Sequence, residues 1–210
     1  MPRPGNLWED LGIEVSGAIH VLADDGRRQV EWLRVAADGG VRRRQLRFAE
    51  GSAWLPEIGS VTSGRCAFDG FGSCALLSVS RPTGERSRYQ HGWALFRWNE
   101  AGDHLSADQV GELDLGQIVL GVALTADGAT ALVVSSPAYI ERHFHVFSLI
   151  NGRMIHRQTI TLDPGWWEWH LRSDRPGLLV GAGDGVTRWY GPGAPAAELP
   201  LPRSIATIRW

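Results

Sequence analysis

Between Val119 and Leu162 short apolar runs alternate with turn residues: VLGVAL, ATALVV, HFHVFSLI and MIHRQTITL. These runs are rich in β-branched and aromatic residues, the composition of strands. Asp127-Gly128 and Asn151-Gly152 are the dipeptides of a tight hairpin, because a type I′ turn places both central residues at φ > 0. Four antiparallel strands within about 45 residues predict one blade of a β-propeller.

The same alternation covers most of the chain. Blades are expected at about 16–60, 61–116, 117–163 and 164–203. The first would use Ser16–Ala23, Arg28–Ala36, Val41–Phe48 and Ser52–Ile58. The second would use an Asp69-Gly70 turn, Ser73–Ser80, a polar loop Arg81–His91, Gly92–Asn99 and Asp108–Leu115. Two markers hold this register. Asp-Gly closes the first hairpin at 25–26, 69–70 and 127–128, and an aromatic ends the third strand at Phe48, Trp98, Phe147 and Trp189. Segments 7–15 and 204–210 are left as unpaired terminal strands. The expected fold is all-β: a β-propeller of about four four-stranded antiparallel blades. It would be a closed ring, a ring with a sparse fifth blade, or an open arc. An open arc would leave apolar sheet faces and strand edges in water, which favours completion by a second chain.

The blade pattern resembles the WD40 and YVTN-like family of propeller repeats. Trp98-Asn99 stands where that family has its Trp-Asp pair; Phe48-Ala49, Phe147-Ser148 and Trp189-Tyr190 depart from it, and no Gly-His dipeptide opens a repeat. The resemblance implies a fold and, by analogy, a binding platform.

Composition narrows the function classes. The 210 residues are 43% hydrophobic with a net charge of -2, which favours neither nucleic acid nor an acidic membrane surface. Every basic residue counted as Lys or Arg is Arg, as expected of a GC-rich bacterial genome. The start MPRPGNLWEDLG lacks a signal-peptide apolar region, and no run approaches the ~18 apolar residues of a membrane span, so a cytoplasmic location is expected. Cys66 and Cys74 flank Asp69-Gly70 and are expected as thiols of the core.

Topology predicts where a partner would bind. In an up-and-down blade the second-to-third loops and the blade links share one end. The longer loops here, Arg81–His91, Ser135–Arg142 and Asp163–Trp167, all belong to that end. They carry Arg86, Arg88, Tyr89, Tyr139, Arg142, Trp166 and Trp167, residue types that dominate interface energetics. The competing reading places the tryptophans between blades as packing.

Candidate chemistry is sparse. Phe147 is expected opposite His156 and His145 opposite Gln158, so His143, His145 and His156 would share one sheet face. No Cys or carboxylate completes a metal set, Glu141 aside, so neither metal nor cofactor is expected. No Gly-x-Ser-x-Gly elbow is present, and the Gly181–Gly185 run opens no helix. Arg42-Arg43-Arg44 with Arg47 would alternate faces as a solvated outer strand. The chain therefore reads as a non-catalytic interaction module or scaffold subunit whose partner is a protein or a second copy. The alternative is a propeller enzyme or carbohydrate-binding module with its ligand at the central channel.

Overall fold

Asn151 and Gly152 adopt φ of 49° and 74° and join β12 (Arg142–Ile150) to β13 (Arg153–Leu162), with Ile150 opposite Arg153. This is the left-handed pair that a two-residue I′ turn requires. The structure, a computed structural model, describes residues 7–24, 29–56, 66–84, 88–137, 141–162, 166–171, 178–182, 187–190 and 197–199. No helix among them is long and apolar enough to cross a membrane.

The described strands form four antiparallel units joined by turns, the first, third and fourth of four strands each. The first unit is β1 (Leu7–Ile13), β2 (Ile19–Asp24), β3 (Val30–Val35) and β4 (Val41–Arg47), each antiparallel to the next. In the second, β5 (Leu55–Pro56) and β6 (Cys66–Phe68) both pair with β7 (Cys74–Pro82), followed by β8 (Tyr89–Arg97) and β9 (His104–Glu112). The third is β10 (Gln117–Leu124), β11 (Thr130–Pro137), β12 and β13. The fourth is β14 (Trp166–Leu171), β15 (Leu178–Ala182), β16 (Thr187–Tyr190) and β17 (Ala197–Leu199). The outer strands of the first two units also pair with each other: β4 runs parallel to β9, with Gln45 opposite His104 and Arg47 opposite Ser106.

The first unit differs from the sequence expectation by one strand. Leu7–Ile13 is no unpaired terminal strand; it is the innermost strand, with Ile13 opposite Ile19. The expected outer strand Ser52–Ile58 instead supplies β5 to the second unit. The expected terminal strand 204–210 lies outside the described residues. Asp25-Gly26 is the source of the shift, because it falls between β2 and β3 rather than between first and second strands. The turns that do join first and second strands share another signature. Glu14, Asp69 and Thr125 each accept a backbone bond from a glycine three residues on: Gly17, Gly72 and Gly128, at 2.9, 3.2 and 2.9 Å. All three glycines sit at positive φ, a conformation that disfavours a side chain. Asp127-Gly128 is therefore not a two-residue I′ turn. These turns touch in series: Val15 N donates to Gly70 O at 3.0 Å, and Gly70 N donates to Ala126 O at 2.8 Å.

Packing occurs between sheet faces. Leu22, Val30, Trp32 and Leu46 of the first unit meet Cys66, Leu77, Val79 and Phe96 of the second. The other face of the second unit, with Cys74, Leu76, Trp93 and Leu95, meets Val119, Val122, Val133 and Phe147 of the third. Trp93 and Phe147 pack edge to face at 5.3 Å. The remaining face of the third unit is also buried, through Leu120, Leu132, Val134, Phe144 and Val146. Cys66 and Cys74 therefore sit on opposite faces of one sheet as buried thiols.

One buried polar network lies within the first unit, beside Gly72 of the second. Arg34 donates through Nε to Glu14 Oε1 at 2.6 Å and through Nη2 to Oε2 at 3.0 Å. Ser16 Oγ donates to Oε2 at 2.5 Å. His20 Nε2 lies 2.6 Å from Glu14 Oε1, and Trp32 Nε1 donates to His20 Nδ1 at 2.7 Å. Because Nδ1 must accept from Trp32, the buried ring is neutral with its proton on Nε2, directed at Glu14. Burial lowers the His20 pKa, in keeping with this state. The Arg34 hydrogen bonds hold the Glu14 carboxyl down at about 2, against the opposing effect of desolvation.

Candidate functional site

The sequence places the connections 83–88, 113–116 and 138–141 at one end of the second and third units. There Pro82 faces Tyr89, Gly92 faces Glu112, Gln117 faces Pro137, and Arg142 faces Leu162. The end is braced from below. Leu113 N donates to His91 O at 3.0 Å, and Gln90 Nε2 donates to Leu113 O, so the link between the units is fixed to β8. Arg81 stacks over Trp54 at 5.1 Å and pairs with Glu112 at 3.0 Å.

Of the residues expected at this rim, Tyr89 and Arg88 are exposed, Tyr89 by 53%. Tyr89 opens β8, so the hairpin ladder runs further than the polar sequence of Arg81–His91 suggested. Arg142 opens β12 and donates through Nη1 to Ser136 Oγ at 3.1 Å and to Glu141 O at 3.2 Å. Arg86 and Tyr139 lie outside the described residues. Trp166 and Trp167 are the first two residues of β14 rather than loop residues, and the register shifts between Trp166 and Glu168. Leu115, exposed by 67%, joins the rim through the 113–116 link; its apolar character makes it look like the tail of an outer strand in the sequence.

The histidines come together, with one correction. Phe147 faces His156 as expected, but a bulge between Val146 and Phe147 moves Thr159, not Gln158, opposite His145. His143 and His145 ring centroids lie 6.2 Å apart, and His145 and His156 lie 6.3 Å apart. Their nitrogens are used in a chain of hydrogen bonds. His156 Nε2 lies 2.9 Å from Thr159 Oγ1, which lies 3.1 Å from His145 Nδ1. His145 Nε2 lies 2.8 Å from Ser135 Oγ, which donates to Gln117 Oε1 at 2.6 Å. Gln117 Nε2 lies 3.3 Å from His143 Nδ1, and His143 Nε2 lies 3.1 Å from Glu141 Oε2. One direction satisfies every bond: each ring donates from Nε2, and the donors run from His156 through Thr159, His145, Ser135, Gln117 and His143 toward Glu141. The rings are thus committed to hydrogen bonding, and no group of three metal-ligand side chains is positioned for an ion among the described residues.

Burial, and then the charges His143 and His156 would carry, push the His145 pKa down to about 4, with Asp114 opposing. Its folded pKa lies below its ordinary 6.5, so its contribution is fully present above pH 6.5 and is lost as pH falls toward 4. A His145→Gln variant, which keeps a donor toward Ser135, should lose less stability than the wild type between pH 7.5 and 4.5. The difference, read by urea denaturation, should not exceed about 2 kcal/mol for a partly exposed ring. Parallel pH profiles would show that His145 does not titrate with folding.

No protein-family model matches the chain, and no curated protein matches it in sequence. Solved structures do. A prolyl endopeptidase matches at TM-score 0.55 and 18% identity over 92% of this chain and 27% of its own. KlAtg21, solved with the coiled-coil of AgAtg16, matches at TM-score 0.53 and 11% identity over 92% of this chain and 57% of its own. The Dos1 propeller matches at TM-score 0.50 and 9% identity over 93% of this chain and 58% of its own. The fold is a β-propeller. At such identities the likeness extends to the fold alone. The four-stranded units are its blades, and the chain spans between about a quarter and three fifths of the length of these structural neighbours.

Proposed function

We propose that this propeller is a non-catalytic protein-interaction module, a scaffold subunit that docks a protein partner on the long-loop rim. The observation that carries this reading is the placement of exposed Tyr89, Arg88 and Leu115 at one end of two blades whose connecting link is anchored by backbone and side-chain bonds. A rigid rim bearing exposed Tyr and Arg suits binding, because little side-chain or loop ordering remains to oppose it. Arg86, Tyr139, Trp166 and Trp167 belong to the same proposed surface by sequence. KlAtg21, solved with a coiled-coil, is one propeller in which protein binding is on record. The prolyl endopeptidase shows that the fold also occurs in enzymes, so the assignment rests on the rim rather than on the fold.

The test is quantitative affinity capture from the native source, with Tyr89→Ala and Arg142→Ala as variants. Asp38→Ala, in an exposed turn at the opposite end, is the control. The proteins recovered with the wild type should fall at least tenfold with the rim variants and be unchanged with the control. Equal recovery with all three would remove the rim from consideration.

A further inference from the structure

The hydrogen-bond chain through the three histidines has a direction, and Gln117 is the member that fixes it. Gln117 is the buried first residue of β10. Its backbone N donates to Asp114 O at 3.1 Å, which closes the 113–116 link that carries Leu115 to the rim. Its side-chain amide stands between Ser135 and His143. Oε1 accepts from the Ser135 hydroxyl at 2.6 Å, and Nε2 donates to His143 Nδ1 at 3.3 Å. A hydroxyl can serve as donor or acceptor by rotating, whereas an amide has one accepting end and one donating end. His143 Nε2 already directs its proton at Glu141, 3.1 Å away, so a second proton can enter this ring only at Nδ1. There it meets the Gln117 NH2 group, donor against donor.

We propose that this arrangement is a pH-operated latch on the link between the second and third blades: protonation of His143 turns the Gln117 amide end for end and loosens the Leu115 link. The turned amide offers Oε1 to His143 and Nε2 to Ser135. Ser135 Oγ already accepts from His145 Nε2 at 2.8 Å, so it then accepts twice and its own proton has no acceptor. Ser135 is fully buried, and a buried donor without a partner is costly. The turned state therefore holds Gln117, and with it the start of β10, less firmly. The groups around His143 leave its proton as the operating charge. Glu141 lies on its own segment, while Ser135 on β11 and Thr161 on β13 face it without charge. Asp114 of the link and His156 of β13 act on the neighbouring His145. The second blade brings His91, on the same face of β8 as Trp93. Burial holds His145 down to about 4, so it stays neutral across the pH 5 to 8 range in which histidines as a class change charge. The latch regulates the rim and rests on that reading for its effect on binding; the latch itself is tested without a partner.

Two-dimensional NMR of the 15N-labelled full chain, titrated from pH 7.5 to 5.0, reads it directly. The Gln117 side-chain NH2 signals and the backbone amides of Leu115 and Gln117 should move with the His143 ring signals through one midpoint. Below that midpoint, hydrogen exchange at the Gln117 backbone amide should rise at least tenfold beyond the intrinsic effect of pH. His143→Asn, which keeps an acceptor toward Gln117 and cannot titrate, should abolish both responses. Should that variant fold poorly, Ser135→Ala approaches the latch from the other side. It removes the hydroxyl that the turned amide strands, so His143 should bind its proton at least threefold more tightly. Gln117 signals that ignore the His143 titration, a response that survives in His143→Asn, or an unchanged proton affinity in Ser135→Ala would each overturn the latch. Affinity capture from the native source then reads its effect on binding. The wild type should recover at least fivefold less protein at pH 5.5 than at pH 7.5, and His143→Asn should recover equal amounts. No fall in the wild type, or an equal fall in both, would overturn the control of binding. Failure of the rim itself shows separately, as Tyr89→Ala recovery equal to that of the wild type at pH 7.5.

Discussion

Replacing Glu14 by alanine is expected to destabilise the chain by about 3–5 kcal/mol, the range for removing one partner of a buried ion pair. The carboxylate accepts from Arg34 twice, from Ser16 and from His20. Without it the fully buried His20 retains Trp32 but loses the acceptor for its Nε2 proton. For a chain of this length the loss lowers Tm by roughly 6–20 °C, measurable by calorimetry. The pH dependence identifies the cause. Glu14 titrates at about 2 when folded, against an ordinary 4.5. Its contribution is therefore complete above pH 4.5 and disappears as pH falls toward 2. The wild type and Glu14→Ala should converge in acid. A deficit that stays constant from pH 7 to pH 3 would assign the loss to packing instead.

Gly72→Ala is expected to cost about 2–4 kcal/mol, although it adds one methyl group. Gly72 has φ of 63°, where a side chain alone costs about 1–2 kcal/mol. The added Cβ would also overlap His20 Nε2 and Glu14 Oε1, so the turn of the second blade and the network of the first cannot both keep their places. Because the two sites share atoms, the Gly72→Ala and Glu14→Ala effects should fall short of additivity by at least about 0.5 kcal/mol. Additive losses in urea denaturation of the double variant would mean that the blades do not communicate through this contact. Gly17→Ala is the useful reference: it shares the positive φ but meets nothing within 4 Å, so only the backbone cost remains.

The architecture is legible in the sequence wherever the chain packs on both sides. β10 to β13 alternate so regularly that their ends are readable to a residue or two, and Asn151-Gly152 marks its turn without ambiguity. The first blade is harder because Asp-Gly is a weaker sign than it looks. The discriminating sign is a polar residue followed three places later by glycine, at Glu14, Asp69 and Thr125. On that sign Glu14 opens the turn into the second strand, His20 lies within that strand and Trp32 falls in the third, which brings the buried network into view. Strand ends at the rim are hidden for another reason. Hydrogen-bonded ladders continue past the hydrophobic core, so Tyr89 to His91 pair with Ser80 to Pro82 although the apolar pattern has stopped. A bulge is likewise invisible to simple alternation, which is why counting residues sets His145 opposite the wrong neighbour.

The parallel pairing of β4 with β9 reaches beyond geometry. An outermost strand offers a row of vacant donors and acceptors to any extended peptide that drifts past, and amyloid growth begins at such templates. Over Gln45–Arg47 and His104–Ser106, two of these rows consume each other. The first two blades are thereby blunted against accretion along this stretch, and β13 and β17, with no comparable neighbour along their outer sides among the described residues, become the places where unwanted growth would start.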